Sequence, residues 1–133
     1  MADIRNRTLT LADCWFDWVF HGYDSAFEGK ATFSDIDGVV YHNGHFLFVE
    51  HKSMKEEDEP PVLSKGQLKV YEALSKMPNT TCWFIAGNMQ ESVPYYIQGI
   101  GNELSADLRG VDKIFARAFL RGMLEAWYKK ASK

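Results

Sequence analysis

The pair Asn43-Gly44 constrains this chain more than any other two residues. It separates two runs rich in β-branched and aromatic residues, 30–42 (KATFSDIDGVVYH) and 45–53 (HFLFVEHKS). Asn-Gly suits a two-residue hairpin turn, so the runs are expected to fold back on each other as antiparallel strands. Such a turn also fixes the register: His42 faces His45, and facing residue numbers sum to 87. Asp37 then falls opposite Glu50, and Asp35 opposite Lys52. Strand alternation puts all four on one face, together with Val39, Tyr41, Phe46 and Phe48. Two carboxylates facing each other across a ladder repel. A hard divalent cation removes that repulsion by binding both, and Mg²⁺ is commonly held by one or two carboxylates plus phosphate oxygens. Lys52 could hold a phosphate oxygen or the attacking water. The competing reading is a Lys52–Asp35 ion pair, with Asp37 and Glu50 turned into water. Spacing alone does not separate the two.

The remaining elements follow from periodicity. Residues 9–23 (LTLADCWFDWVFHGY) read as a helix, with Thr10 as cap and Gly22 as stop. Residues 23–30 read as a loop or short turn. The charged, Pro-containing stretch 54–66 reads as a mobile loop, and its acids Glu56, Glu57, Asp58 and Glu59 as a solvated run. Residues 65–77 read as a helix closed by Pro78. The apolar run 80–87 (TTCWFIAG) is expected to be a buried strand. Residues 93–101 (VPYYIQGIG) are expected to be a weaker strand, at an edge because of Pro94. The last helix is expected over about 107–130, burying Val111, Ile114, Phe115, Ala118, Phe119, Met123 and Trp127. The order α-β-β-α-β-β-α implies an α/β fold, a mixed sheet with helices on its faces. At 133 residues the simplest reading is one domain, 1–133.

The net charge is −3, unevenly spread. Residues 109–133 carry +5, which leaves −8 for the first 108. That balance argues against an indiscriminate nucleic-acid coat protein and suggests a basic surface on an acidic body. No apolar run approaches the ~20 residues needed to span a bilayer. The first ten residues have no apolar stretch of the secretory kind, so a cytoplasmic protein with reduced Cys14 and Cys82 is expected. Arg109, Lys113, Arg117 and Arg121 recur every four residues, a spacing that turns ~400° on a helix. They are expected to form one basic stripe, either a solvated face or a track for a phosphate backbone. His42 and His45 flank the turn on the face away from the acids, and no further zinc ligands follow. No phosphate-binding glycine loop and no Gly-x-Ser-x-Gly nucleophile motif is present.

Asp37, followed after the hairpin by Glu50-His51-Lys52, resembles the signature of the PD-(D/E)XK nuclease superfamily. Ile36 stands where that signature usually has proline, and Asp35 is the second choice for the aspartate. The resemblance extends to "SKGQLKVYEAL", residues 64–74. Virus-type replication-repair nucleases and Holliday-junction resolvases of the superfamily often carry a glutamine on the helix after the E-x-K strand. Gln67 takes that place here, with Tyr71 one turn on. For an upstream glutamate Glu28 is the nearest candidate, with Asp17 or Asp24 as substitutes. The resemblance implies a restriction-endonuclease-like αβββαβ core over roughly residues 9–87, with an extra strand near 28–34. The C-terminal strand and helix would be an elaboration.

It further implies a Mg²⁺- or Mn²⁺-dependent DNA endonuclease. Asp37, Glu50 and the His51 carbonyl would hold the metal. Lys52 would orient water or stabilise charge, and Gln67 would position Lys52 or the phosphate. The compact motif looks most like phage-encoded members, which would work in the host cytoplasm. A homodimer would fit, because duplex cleavage needs two sites. The alternative function is a non-catalytic interaction or inhibitor protein on the same scaffold.

Overall fold

A computed structural model describes residues 23–30 and 36–133. The chain divides into two compact units, Met1–Asp35 and Ile36–Lys133. In the first, Tyr23–Phe27 form a short 3-10 helix where a loop or turn was expected. Glu28 (φ 57°) and Gly29 (φ 73°) then turn the chain. The expected N-terminal helix (apart from Tyr23), Asp17, Asp35 and most of the expected strand near 28–34 lie outside the described residues.

The second unit is built on a five-stranded mixed sheet whose strands lie in sequence order. The strands are β1 (Gly38–His42), β2 (His45–Ser53), β3 (Thr80–Asn88), β4 (Val93–Ile100) and β5 (Ser105–Asp107). The helices are α1 (Lys65–Ser75) and α2 (Lys113–Ala131). β1 and β2 pair in the expected register, from His42↔His45 to Gly38↔Val49. Asn43 (φ 52°) and Gly44 (φ 81°) both adopt the left-handed conformation that a type I′ turn requires. The Asn43 amide donates to the Ala131 carbonyl at 2.9 Å, fastening the hairpin tip to the end of α2. β2 and β3 run parallel, so the chain must cross over between them, and α1 forms that crossover. Ser64 caps α1 by accepting from the Gln67 N–H at 3.2 Å.

Alternation along the strands gives the sheet two apolar faces. Leu47, Val49, Trp83, Ile85 and Ile97 pack with Ala116, Leu120, Met123 and Trp127 of α2. Phe48, Met54, Cys82, Phe84, Ala86 and Ile100 pack with Tyr71 and Leu74 of α1. β2 therefore shows residues 46, 48, 50 and 52 on the α1 side.

Several expectations change. The first hairpin strand is shorter, because regular pairing begins only at Gly38. β4 is not an edge, since β5 pairs with it from Tyr96↔Asp107 to Gln98↔Ser105. Pro94 is tolerated because it precedes the β5 ladder and sits beside an irregularity at Ala86/Gly87. There the strands approach so closely that a Cβ on Gly87 would collide with the Val93 carbonyl oxygen. The loop after β2 is fastened rather than loose: Glu56 accepts from the Gly110 N–H at 3.0 Å, and the Asp58 carbonyl from Arg109 at 3.2 Å.

The last helix starts at Lys113, not near 107, because Ser105–Asp107 are drawn into β5 and Asp112 caps the helix. Its buried side follows Ala116, Leu120, Met123, Trp127 and Ala131, with the small alanines allowing close approach. Met123 and Trp127 were expected there. Ile114, Phe115, Ala118 and Phe119 were also expected there and instead face outward, Phe115 at 69% exposure.

Candidate active site

The open end of the hairpin places the first acid. In an antiparallel ladder every second facing pair exchanges both backbone hydrogen bonds. Continued past Gly38↔Val49, the pattern would join the His51 N–H to the carbonyl of residue 36. The Asp37 carboxylate takes that place: its Oδ2 accepts from the His51 N–H at 2.9 Å. Asp37 thus ends the ladder and lies beside the Glu50–His51 peptide. A strand residue directs its N–H and C=O to the same neighbour, so the His51 carbonyl also points to the Asp37 side. The His51 ring belongs to the opposite face from Glu50.

Glu50 is the one charged residue buried in the core among the described residues, at 3% exposure. The Tyr71 hydroxyl donates to its Oε1 at 2.8 Å, and the Gln67 amide to its Oε2 at 3.0 Å. Tyr71 and Gln67 are four residues apart on α1, hence on one face of the helix. An ionised carboxylate is expensive to bury unless hydrogen-bonded, and bonds to a charged group are worth about 1.5–3 kcal/mol each. These two donors orient Glu50 while adding no countercharge of their own. Gln67 was expected to position Lys52 or a phosphate. The structure gives it a different partner, Glu50, because the crossover lays the first turn of α1 over β2's carboxylate. Its amide oxygen lies 3.4 Å from the Ser64 hydroxyl, which leaves its NH₂ for Glu50.

Lys52 stands two residues beyond Glu50 on the same face, half-buried, beside Ala86 of β3. It forms no ion pair with any of the described residues. Asp37, Glu50, Lys52, Gln67 and Tyr71 are thus gathered at one end of β2. Glu28 belongs to the other unit and is exposed.

The basic stripe is not formed as expected. Arg109 lies before α2 and is bound to Asp107, with its Nε 2.9 Å from Oδ1. That guanidinium holds the Asp107 carboxyl down at about 2. Lys113 sits 3.6 Å from Glu91, and Arg117 donates to the Glu91 carbonyl at 2.7 Å, so both clasp the β3–β4 turn. Arg121 pairs with Glu125 at 3.4 Å. All three belong to the helix covering the face opposite Glu50. His42 lies tilted against Tyr128 (4.5 Å between ring centroids, 31° between planes) and meets the Ser132 hydroxyl at 2.9 Å, a structural role at the hairpin tip.

Among the described residues, no three His, Cys, Asp or Glu side chains converge as a protein-only metal cage. The donor set at the hairpin is two carboxylates and a peptide carbonyl, all hard oxygens. That set fits Mg²⁺ or Mn²⁺, ions that complete their shells with water and phosphate. Sequence reasoning missed the Tyr71–Glu50 bond and the capping role of Ser64. The Ser-x-x-Gln spacing at 64–67 carried the second signal.

Fold and site define an α/β protein with a mixed open sheet and a buried carboxylate on the strand that begins the parallel crossover. No protein-family model, no curated protein and no solved structure matches the chain. No helix among the described residues is long and apolar enough to cross a membrane.

Proposed function

We propose that the protein is a metal-dependent nuclease hydrolysing phosphodiester bonds in DNA. The observation that carries this reading is buried Glu50, held by two donors, beside Asp37, whose carboxylate accepts from the N–H of the Glu50–His51 peptide. The order β1-β2-α1-β3 also agrees with the last four elements of the αβββαβ core. Asp37, Glu50 and the His51 carbonyl would hold Mg²⁺ or Mn²⁺, which would polarise a phosphate and lower the pKa of a bound water. Gln67 and Tyr71 fix the Glu50 carboxylate. Lys52 binds a phosphate oxygen or orients the attacking water. The test is incubation of purified protein with single-stranded, plasmid and branched DNA, with and without Mn²⁺. Lys52→Ala is expected to keep the fold and the metal but abolish cleavage. Wild-type rates in that variant would overturn the mechanism. The second reading, a non-catalytic interaction protein, draws on the outward-facing Ile114 and Phe115 of α2. It takes over if the wild type cleaves none of these substrates.

A further inference from the structure

The α1 side of β2 carries more than the acids. Phe46 and Phe48 precede Glu50 and Lys52 at alternate positions, and Tyr41 of β1 pairs with Phe46. The rings form a continuous row. Tyr41 and Phe46 are 5.1 Å apart between centroids, and Phe46 and Phe48 lie 5.9 Å apart and nearly parallel, at 12°. Tyr41 and Phe46 are open to solvent, at 64% and 38% exposure, and Phe48 is half-buried. Burial explains only one end of the row: Phe48 packs against the core that Cys82, Phe84 and Ile100 make under α1, while Tyr41 and Phe46 stand outside that core.

We infer that Tyr41, Phe46 and Phe48 form a stacking platform for unpaired bases, making single-stranded nucleic acid the substrate class of the adjoining site. This inference rests on the nuclease reading and narrows it. Spacing supplies the argument. Alternate strand residues advance about 6.7 Å, so Phe48 lies one step and Phe46 two steps from Glu50. A duplex strand advances only about 3.4 Å per nucleotide, half of that repeat. Stacked duplex bases are too closely spaced to take one ring each, whereas separated bases of an extended strand can. Every base offers a π-face, so such a platform tolerates any sequence. The row ends at Glu50 and Lys52, which sets a backbone phosphate beside the charged end while neighbouring bases rest on the rings.

The test is fluorescence anisotropy in EDTA, where no cleavage occurs, using short oligo(dT), an abasic strand of equal length, and a duplex. Wild type is expected to bind oligo(dT) about tenfold or more tighter than the abasic strand. It should also prefer oligo(dT) to the duplex. Tyr41→Leu and Phe46→Leu keep an apolar side chain but remove the π-face. Each is expected to erase most of the oligo(dT) advantage while leaving abasic binding unchanged. Tyr41 is mostly exposed, so that variant keeps the question answerable if Phe46→Leu folds poorly. Equal affinity for oligo(dT) and abasic strand, or a preference for duplex, would overturn the platform. So would a wild-type dimer that Tyr41→Leu dissociates, which would give the row to a second copy of the chain. Cleavage in Mn²⁺ is scored separately. Cleavage without base-dependent binding removes the platform alone; base-dependent binding without cleavage removes the nuclease reading alone.

Discussion

Tyr71 and Glu50 meet in a region too dry to forgive a lost hydrogen bond. Tyr71→Phe keeps the ring and deletes one donor to a buried carboxylate. It is expected to lower stability by about 1–3 kcal/mol, read as a lower urea midpoint in metal-free buffer. Lys52→Ala, by contrast, should barely move that midpoint. Cys82, on the same face, is buried so fully that its thiol is pushed up to about 11 from an ordinary value of 9.0. The unfolded chain therefore loses this proton first. The contribution is intact below about pH 9 and is lost as pH rises from about 9 to about 11, by ~1.4 kcal/mol per unit. Urea titrations of wild type and Cys82→Ala over that range should show the wild type losing stability more steeply; parallel curves would refute it. The hairpin register was legible in the sequence because it is a counting problem, and His42↔His45 to Gly38↔Val49 pair as counted. What Gln67 touches was not legible, since two-residue alternation on β2 says nothing about which turn of a crossover helix will lie above it.

The hairpin shows an element whose sequence nearly determines its geometry. Asn43 does two jobs, a left-handed turn and a hydrogen bond to the last turn of α2. Asn43→Ala should therefore cost about 1–2 kcal/mol, more than a turn substitution alone, measurable as a drop in melting temperature. Amide exchange at Gly38–His42 should accelerate in the same variant. β5 was invisible for the opposite reason. Three residues, Ser-Ala-Asp, show no apolar alternation, and their strand character comes from the exposed side of β4 that they complete. The rotation of α2 was misread because it carries apolar residues on more than one side. Ala116 and Ala131 settle the matter, since only small residues let the helix backbone approach the sheet. Pro94 misled in the same way, a local rule overridden by an irregularity next to it.

At the scale of the molecule, an ion that binds only the folded state must stabilise it. Mg²⁺ or Mn²⁺ at a hundredfold excess over Kd should add about 2.7 kcal/mol and raise the melting temperature. Asp37→Asn should shrink that rise, whereas a rise lost in Asp35→Asn but kept in Asp37→Asn would move the metal role to Asp35. The architecture, a mixed sheet with helices on its faces, was legible because strand and helix periods alternate along the chain. The separation of the basic helix from Glu50 was not, because linear charge counts cannot tell one face of a sheet from the other. The parallel pairing of β2 with β3 has a consequence for the order in which this protein can be made. During synthesis Glu50 leaves the ribosome well before Gln67 and Tyr71, and α1 has no completed surface to lie on until β3 follows. The nascent hairpin can close early, by local contacts alone, yet its carboxylate must wait in water. The site is therefore assembled late, in one step with the crossover, and a chain stalled before β3 is complete carries the acids while Gln67 and Tyr71 are not yet laid over Glu50.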